Sequence, residues 1–120
     1  LYTLPKEKII LFLDLASGSL NFIEKAGLKD VFIIDHHEVI QEVPRDVEIV
    51  NPWFNGKEKI SSAGLAFLFC KEINSDLTEI SKLAVLGMIG DTMESHIEYL
   101  GEDIFKGDVS FRFFQVDEAR

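Results

Sequence analysis

A chain of 120 residues with 47% hydrophobic side chains has the length of one domain and one modest core. Its formal charge of −9 gives no electrostatic attraction for nucleic acid phosphates over the surface as a whole, although bound cations could invert the charge of an acidic pocket. Apolar runs are broken by Asp14, Asp35 or Lys82, so no membrane span is expected, and "LYTLPKEK" leads into a strand pattern without a signal peptide. The single cysteine, Cys70 in "LAFLFCKEI", predicts a buried thiol and a cytoplasmic location.

"KIILFLDL", residues 8–15, is a continuous apolar run of the kind that forms a strand buried on both faces of a parallel sheet. "SGSLNFIEKAGLKD" predicts a short helix with Ser17 or Ser19 as N-cap and Gly27 as terminator. "VFIID" is a second buried strand, which makes residues 8–35 a β-α-β unit with parallel strands. After a polar loop containing Pro44, "VEIVN" reads as a third strand closed by Pro52. Ser61 or Ser62 caps the helix "AGLAFLFCKEI", which ends near Asn74. A further helix begins near Thr78, with Glu79 in its first turn, and runs through "KLAVLGMIGD". Beyond it, "EYLGEDIFKGD" suggests a short helix with turns, and "VSFRFFQV" alternates like an edge strand.

These elements predict an α/β fold, a Rossmann-like parallel sheet flanked by helices. Three strands are few for such a sheet, and Leu1 stands close before the first of them. Both features suggest a piece of a larger α/β domain over residues 1–92, with residues 93–120 as an unassigned tail or linker.

In parallel sheets, ligands bind outside the carboxyl ends of the strands. Asp14 ends the first strand, and Asp35, His36 and His37 end the second, so both groups fall on one edge. Neighbouring strands lie about 4.8 Å apart, which allows a carboxylate and an imidazole to share one ion. Asp91, in "GMIGDT", is a third acid at the negative pole of a helix, where a cation would offset the unfavourable charge. Gly87 and Gly90 in that helix suggest close approach to the sheet. His96 lacks a partner motif and reads as surface.

Three ordered motifs, "FLDLASGS", "IIDHHE" and "GMIGD", resemble the second, third and fourth motifs of the DHH phosphoesterase superfamily. "VNPW" and "SSAGLAFLF" resemble its RecJ-like branch, in particular archaeal RecJ-like nucleases associated with the GINS replication complex. The resemblance covers residues 8–92. It implies a two-metal hydrolase using Mn2+ or Mg2+, with Asp14 bridging both ions, His36 and Asp91 as further metal ligands, His37 facing the substrate phosphate and Asp35 orienting a histidine. Two ions would activate water and clamp the attacking and leaving oxygens of a displacement. Implied partners are single-stranded nucleic acid as substrate, in DNA repair or replication, and a GINS-like replication protein. The first motif of the family and its glycine-rich C-terminal domain are absent from this sequence, so the isolated chain is expected to be inactive. Oligonucleotides, cyclic dinucleotides and pyrophosphate are alternative substrates within the superfamily, and Trp53 and Phe54 read as core or loop packing, with base stacking as the alternative. A non-catalytic relative acting as a structural partner in the replication machinery is the rival reading.

Overall fold

The computed structural model describes residues 1–56 and 59–100. Three parallel strands, β1 (Ile10–Leu13), β2 (Val31–Ile34) and β3 (Val47–Val50), form one sheet in the order β1-β2-β3. Helix α1 (Leu20–Lys25) connects β1 to β2, and α2 (Ser62–Ile73) and α3 (Ser81–Gly90) follow β3. Short 3-10 turns occupy Ser17–Ser19, Pro52–Asn55, Thr78–Ile80 and Glu94–Leu100. The architecture is α/β, as the alternating apolar runs predict. The expected edge strand in "VSFRFFQV" lies outside the described residues.

Register follows from the apolar pattern. Leu13 pairs with Ile34 and Ile34 with Val50, so the next residues, Asp14, Asp35 and Asn51, form one row across the carboxyl edge. Backbone bonds continue into that row, from Asp14 N to the Ile34 carbonyl at 2.9 Å and from Asp35 N to the Val50 carbonyl at 3.1 Å.

The described residues pack two hydrophobic clusters rather than one. Leu20, Ile23 and Ala26 of the α1 segment cover Val31, Ile33 and Val47 on one face of the sheet. Leu20 and Ile23, three apart on α1, share its buried stripe, while Phe22 is half-exposed. The second cluster joins α2 and α3 through Ile60, Phe67, Ala84, Val85 and Met88, with Ile97 and Leu100 from the following turn. The expectation of strands buried on both faces is not met: Leu11 (53%), Leu13 (47%), Phe32 (42%) and Val50 (45%) stay exposed on the face opposite α1. Exposed and buried positions therefore alternate along β1 and through most of β2 and β3, and α2 borders the open face through Phe69.

Other details depart from expectation. Cys70 is half-buried. Ser61, not Ser62, caps α2: its Oγ accepts from Gly64 N at 3.2 Å. Gly87 permits close approach to another helix rather than to the sheet, since a Cβ there would lie 2.2 Å from the Ala63 Cβ, and Gly90 faces open space. None of the helices among the described residues is long and apolar enough to cross a membrane.

Candidate metal centre

Strand ends and one helix end bring the chemistry together. Asp14 leaves β1 with φ 63°, a left-handed conformation that aspartate tolerates better than most residues, and Ala16 follows at φ 91°. The chain thus turns sharply out of the strand, and the Asp14 side chain stays 60% exposed. His36, only 12% exposed, holds its Nε2 3.4 Å from Asp14 Oδ1 and 3.9 Å from Asp91 Oδ2. Asp91 is the C-cap residue of α3. The acid that the sequence places at a negative helix pole therefore meets an imidazole contributed by the sheet.

Asp14, His36 and His37 each offer a donor atom, and these atoms lie within 4.8 Å of one another. Two donors on one ion, each bonded at about 2.1 Å, stand at most about 4.2 Å apart. The His36 separations from Asp14 and from Asp91 both fall inside that limit. Mixed carboxylate and imidazole donors without thiolate suit Mn2+, Mg2+ or Zn2+.

Asp35 does not join this donor set. It is fully buried and accepts from the surrounding backbone: Ser17 N at 3.0 Å, His36 N at 2.8 Å and His37 N at 3.4 Å. Its Oδ1 also lies 2.6 Å from His37 Nδ1. Burial pushes the Asp35 carboxyl up, but the hydrogen bonds from Ser17 and His37 outweigh it and hold the group at about 2. The same bond to Asp35 raises His37, against the opposing effect of desolvation and with further help from the charges of Asp35, Asp14 and Asp91. The two imidazoles meet edge to face with centroids 4.5 Å apart.

The structure therefore gathers the five residues singled out in the sequence, with Asp14 and Asp91 each approaching His36 Nε2, His37 within reach of Asp14 and His36, and Asp35 behind His37. His96 stands apart, its Nδ1 2.9 Å from Ser95 Oγ. Trp53 is half-buried and donates from Nε1 to the His36 carbonyl at 3.2 Å, so its indole braces the loop. Phe54 is 53% exposed.

A family model described as the DHH family, N-terminal domain, matches residues 1–90. The chain belongs to the DHH family. That places it in a phosphoesterase superfamily whose members are typically dependent on divalent metal ions. None of the curated proteins matches the sequence.

Two further residues of this DHH site, Ser17 and Asn51, carry no site signature in the sequence. Ser17, a candidate N-cap, makes no capping bond; it is fully buried and serves Asp35. Asn51, a strand terminus before Pro52, is 4% exposed and donates from Nδ2 both to Ser17 Oγ and to the His37 carbonyl, each at 2.9 Å. The available signal was its register, since it shares a row with Asp14 and Asp35.

Proposed function

We propose that this chain supplies part of a dimetal centre that hydrolyses phosphodiester bonds in single-stranded nucleic acid, as in RecJ-like nucleases. The observation that carries this reading is the convergence of Asp14 and Asp91 carboxylates on His36 Nε2, at 3.4 and 3.9 Å. Bound Mn2+ or Mg2+ would activate a water molecule and neutralise charge on the phosphate.

The protein's own groups have separable tasks. Asp14, exposed at the strand end, would hold the metal ions together with His36 and Asp91. Asp35 accepts the His37 Nδ1 hydrogen and so turns Nε2 outward, where the protonated imidazolium would donate to a phosphate oxygen. The raised affinity of His37 for its proton favours that donor role. The first family motif, which contributes further ligands in the family, is not in this sequence.

The segments "VNPW" and "SSAGLAFLF" support the RecJ-like assignment and, with it, a GINS-like replication partner. The test is Mn2+-dependent cleavage of 5′-labelled and 3′-labelled single-stranded DNA and RNA by the full-length gene product. Asp14→Ala and His36→Ala should each abolish turnover. Equal turnover by wild type and both variants would remove the site assignment, and cleavage of pyrophosphate or cyclic dinucleotides alone would remove the nuclease reading.

A further inference from the structure

We propose that Asn51 and Ser17 are positioning residues for His37, forming a buried polar chain that fixes which ring nitrogen of His37 faces the substrate. The proposal rests on the phosphoesterase reading of the site, but its geometry is independent of any bound ion. Asn51 reaches across the strand ends with each of its polar atoms engaged. Its Oδ1 accepts from Trp53 N at 2.9 Å, and its Nδ2 donates to Ser17 Oγ and to the His37 carbonyl.

Ser17 passes this polarity on. Its hydroxyl accepts from Asn51 and donates its own hydrogen to the Asp35 carboxylate, beside the bond from Ser17 N to Asp35 Oδ2. An ionised carboxylate only accepts. The 2.6 Å contact to His37 Nδ1 therefore requires a proton on Nδ1, which leaves Nε2 as the outward atom of the neutral ring. Asn51 also fixes the backbone of the same residue, through the His37 carbonyl. Its bond from Trp53 N holds the turn whose indole grips the His36 carbonyl.

Only an amide fits the position. A carboxylate at residue 51 would have no donor for the His37 carbonyl. It would also draw the Ser17 hydroxyl hydrogen away from Asp35. Burial makes the mismatch costly, because Asn51 is 4% and Ser17 0% exposed and water does not substitute for a lost partner. Asp14, Asp35 and Asn51 occupy the same row of the sheet, so the bracing amide arises from the strand next to the one that delivers both histidines.

The test uses the chain with 15N-labelled histidine, at a pH alkaline enough to leave its three histidines neutral. Long-range proton–nitrogen correlation then reads each tautomer. Wild-type His37 should be wholly the Nδ1–H form. Asn51→Asp and Ser17→Ala should each convert it to a mixture containing the Nε2–H form, while a purely structural role would lower thermal stability and leave the tautomer fixed. Ser17→Ala removes only a hydroxyl and serves where Asn51→Asp does not fold. An Nε2–H or mixed wild-type His37 overturns the proposal, as does an unchanged His37 pattern in the folded variants. Mn2+ added to the same wild-type sample tests the metal reading separately, by paramagnetic broadening of His36 and of His37, whose ring centroid lies 4.5 Å away: broadening absent with the tautomer fixed would defeat the metal site and leave the positioning role standing.

Discussion

Gly87 links helix packing to the metal site, and Gly87→Ala tests that link. A Cβ at this position would stand 2.2 Å from the Ala63 Cβ, whereas carbon atoms in contact prefer about 3.5–4.0 Å. Relief requires α2 and α3 to part by about 1.5 Å. Overpacking of this kind costs about 1–3 kcal/mol, and the better helix propensity of alanine returns about 1 kcal/mol. An approach as close as 2.2 Å puts the cost in the upper part of that range, so the net loss is about 1–2 kcal/mol, equivalent to a fall in Tm of roughly 5–10 °C for a domain of this size. Asp91 lies one helical turn beyond Gly87 and 3.9 Å from His36 Nε2, so the displacement reaches the site. Mn2+ affinity should fall on the order of tenfold, the scale seen when the groups supporting a metal ligand are disturbed. Thermal unfolding and calorimetric Mn2+ titration measure the two effects, and Ala63→Gly in the same chain should restore most of both. A Gly87→Ala protein with unchanged or higher Tm and unchanged Mn2+ affinity would refute the reasoning, because helix propensity would then outweigh a contact that does not exist.

Asp35→Asn should destabilise the apo chain by about 2–3 kcal/mol in denaturant unfolding, since one oxygen that accepts hydrogen bonds becomes a donor facing donors. The depressed Asp35 carboxyl makes the same group a source of acid sensitivity. Its contribution is full above the unfolded value of 3.8 and is lost as pH falls through about 2, so wild-type stability should drop by about 2 kcal/mol over that window while Asp35→Asn shows no such component. A parallel pH dependence in the two proteins would contradict the assignment. Phe32→Thr, on the exposed sheet face, should change unfolding free energy by less than about 1 kcal/mol and reduce binding of a hydrophobic dye; a loss above about 3 kcal/mol, the scale of a buried phenylalanine, would show the face to be covered.

Local chemistry made much of this protein legible. Apolar runs ending in "LD" and "DHH" specify strands that stop where their polar residues begin, and parallel pairing then places Asp14 and His36 on the same edge. Ser61 and Asn74 bound α2 as capping chemistry predicts. The pattern did not reveal which face of the sheet lies bare. An apolar run shows what can be buried, not what covers it, so Leu11 and Phe32 read as core although they are exposed.

The donor types, their order and the strands that carry them follow from local chemistry, because backbone propensity and polarity act over a few residues. The partnerships among those donors arise from packing. Asp91 reaches His36 because α3 packs through Gly87 against Ala63, and Ser17 and Asn51, 34 positions apart, share a hydrogen bond because strand register aligns their loops. Such contacts depend on how layers stack, and nothing in the spacing of residues along the chain encodes that distance.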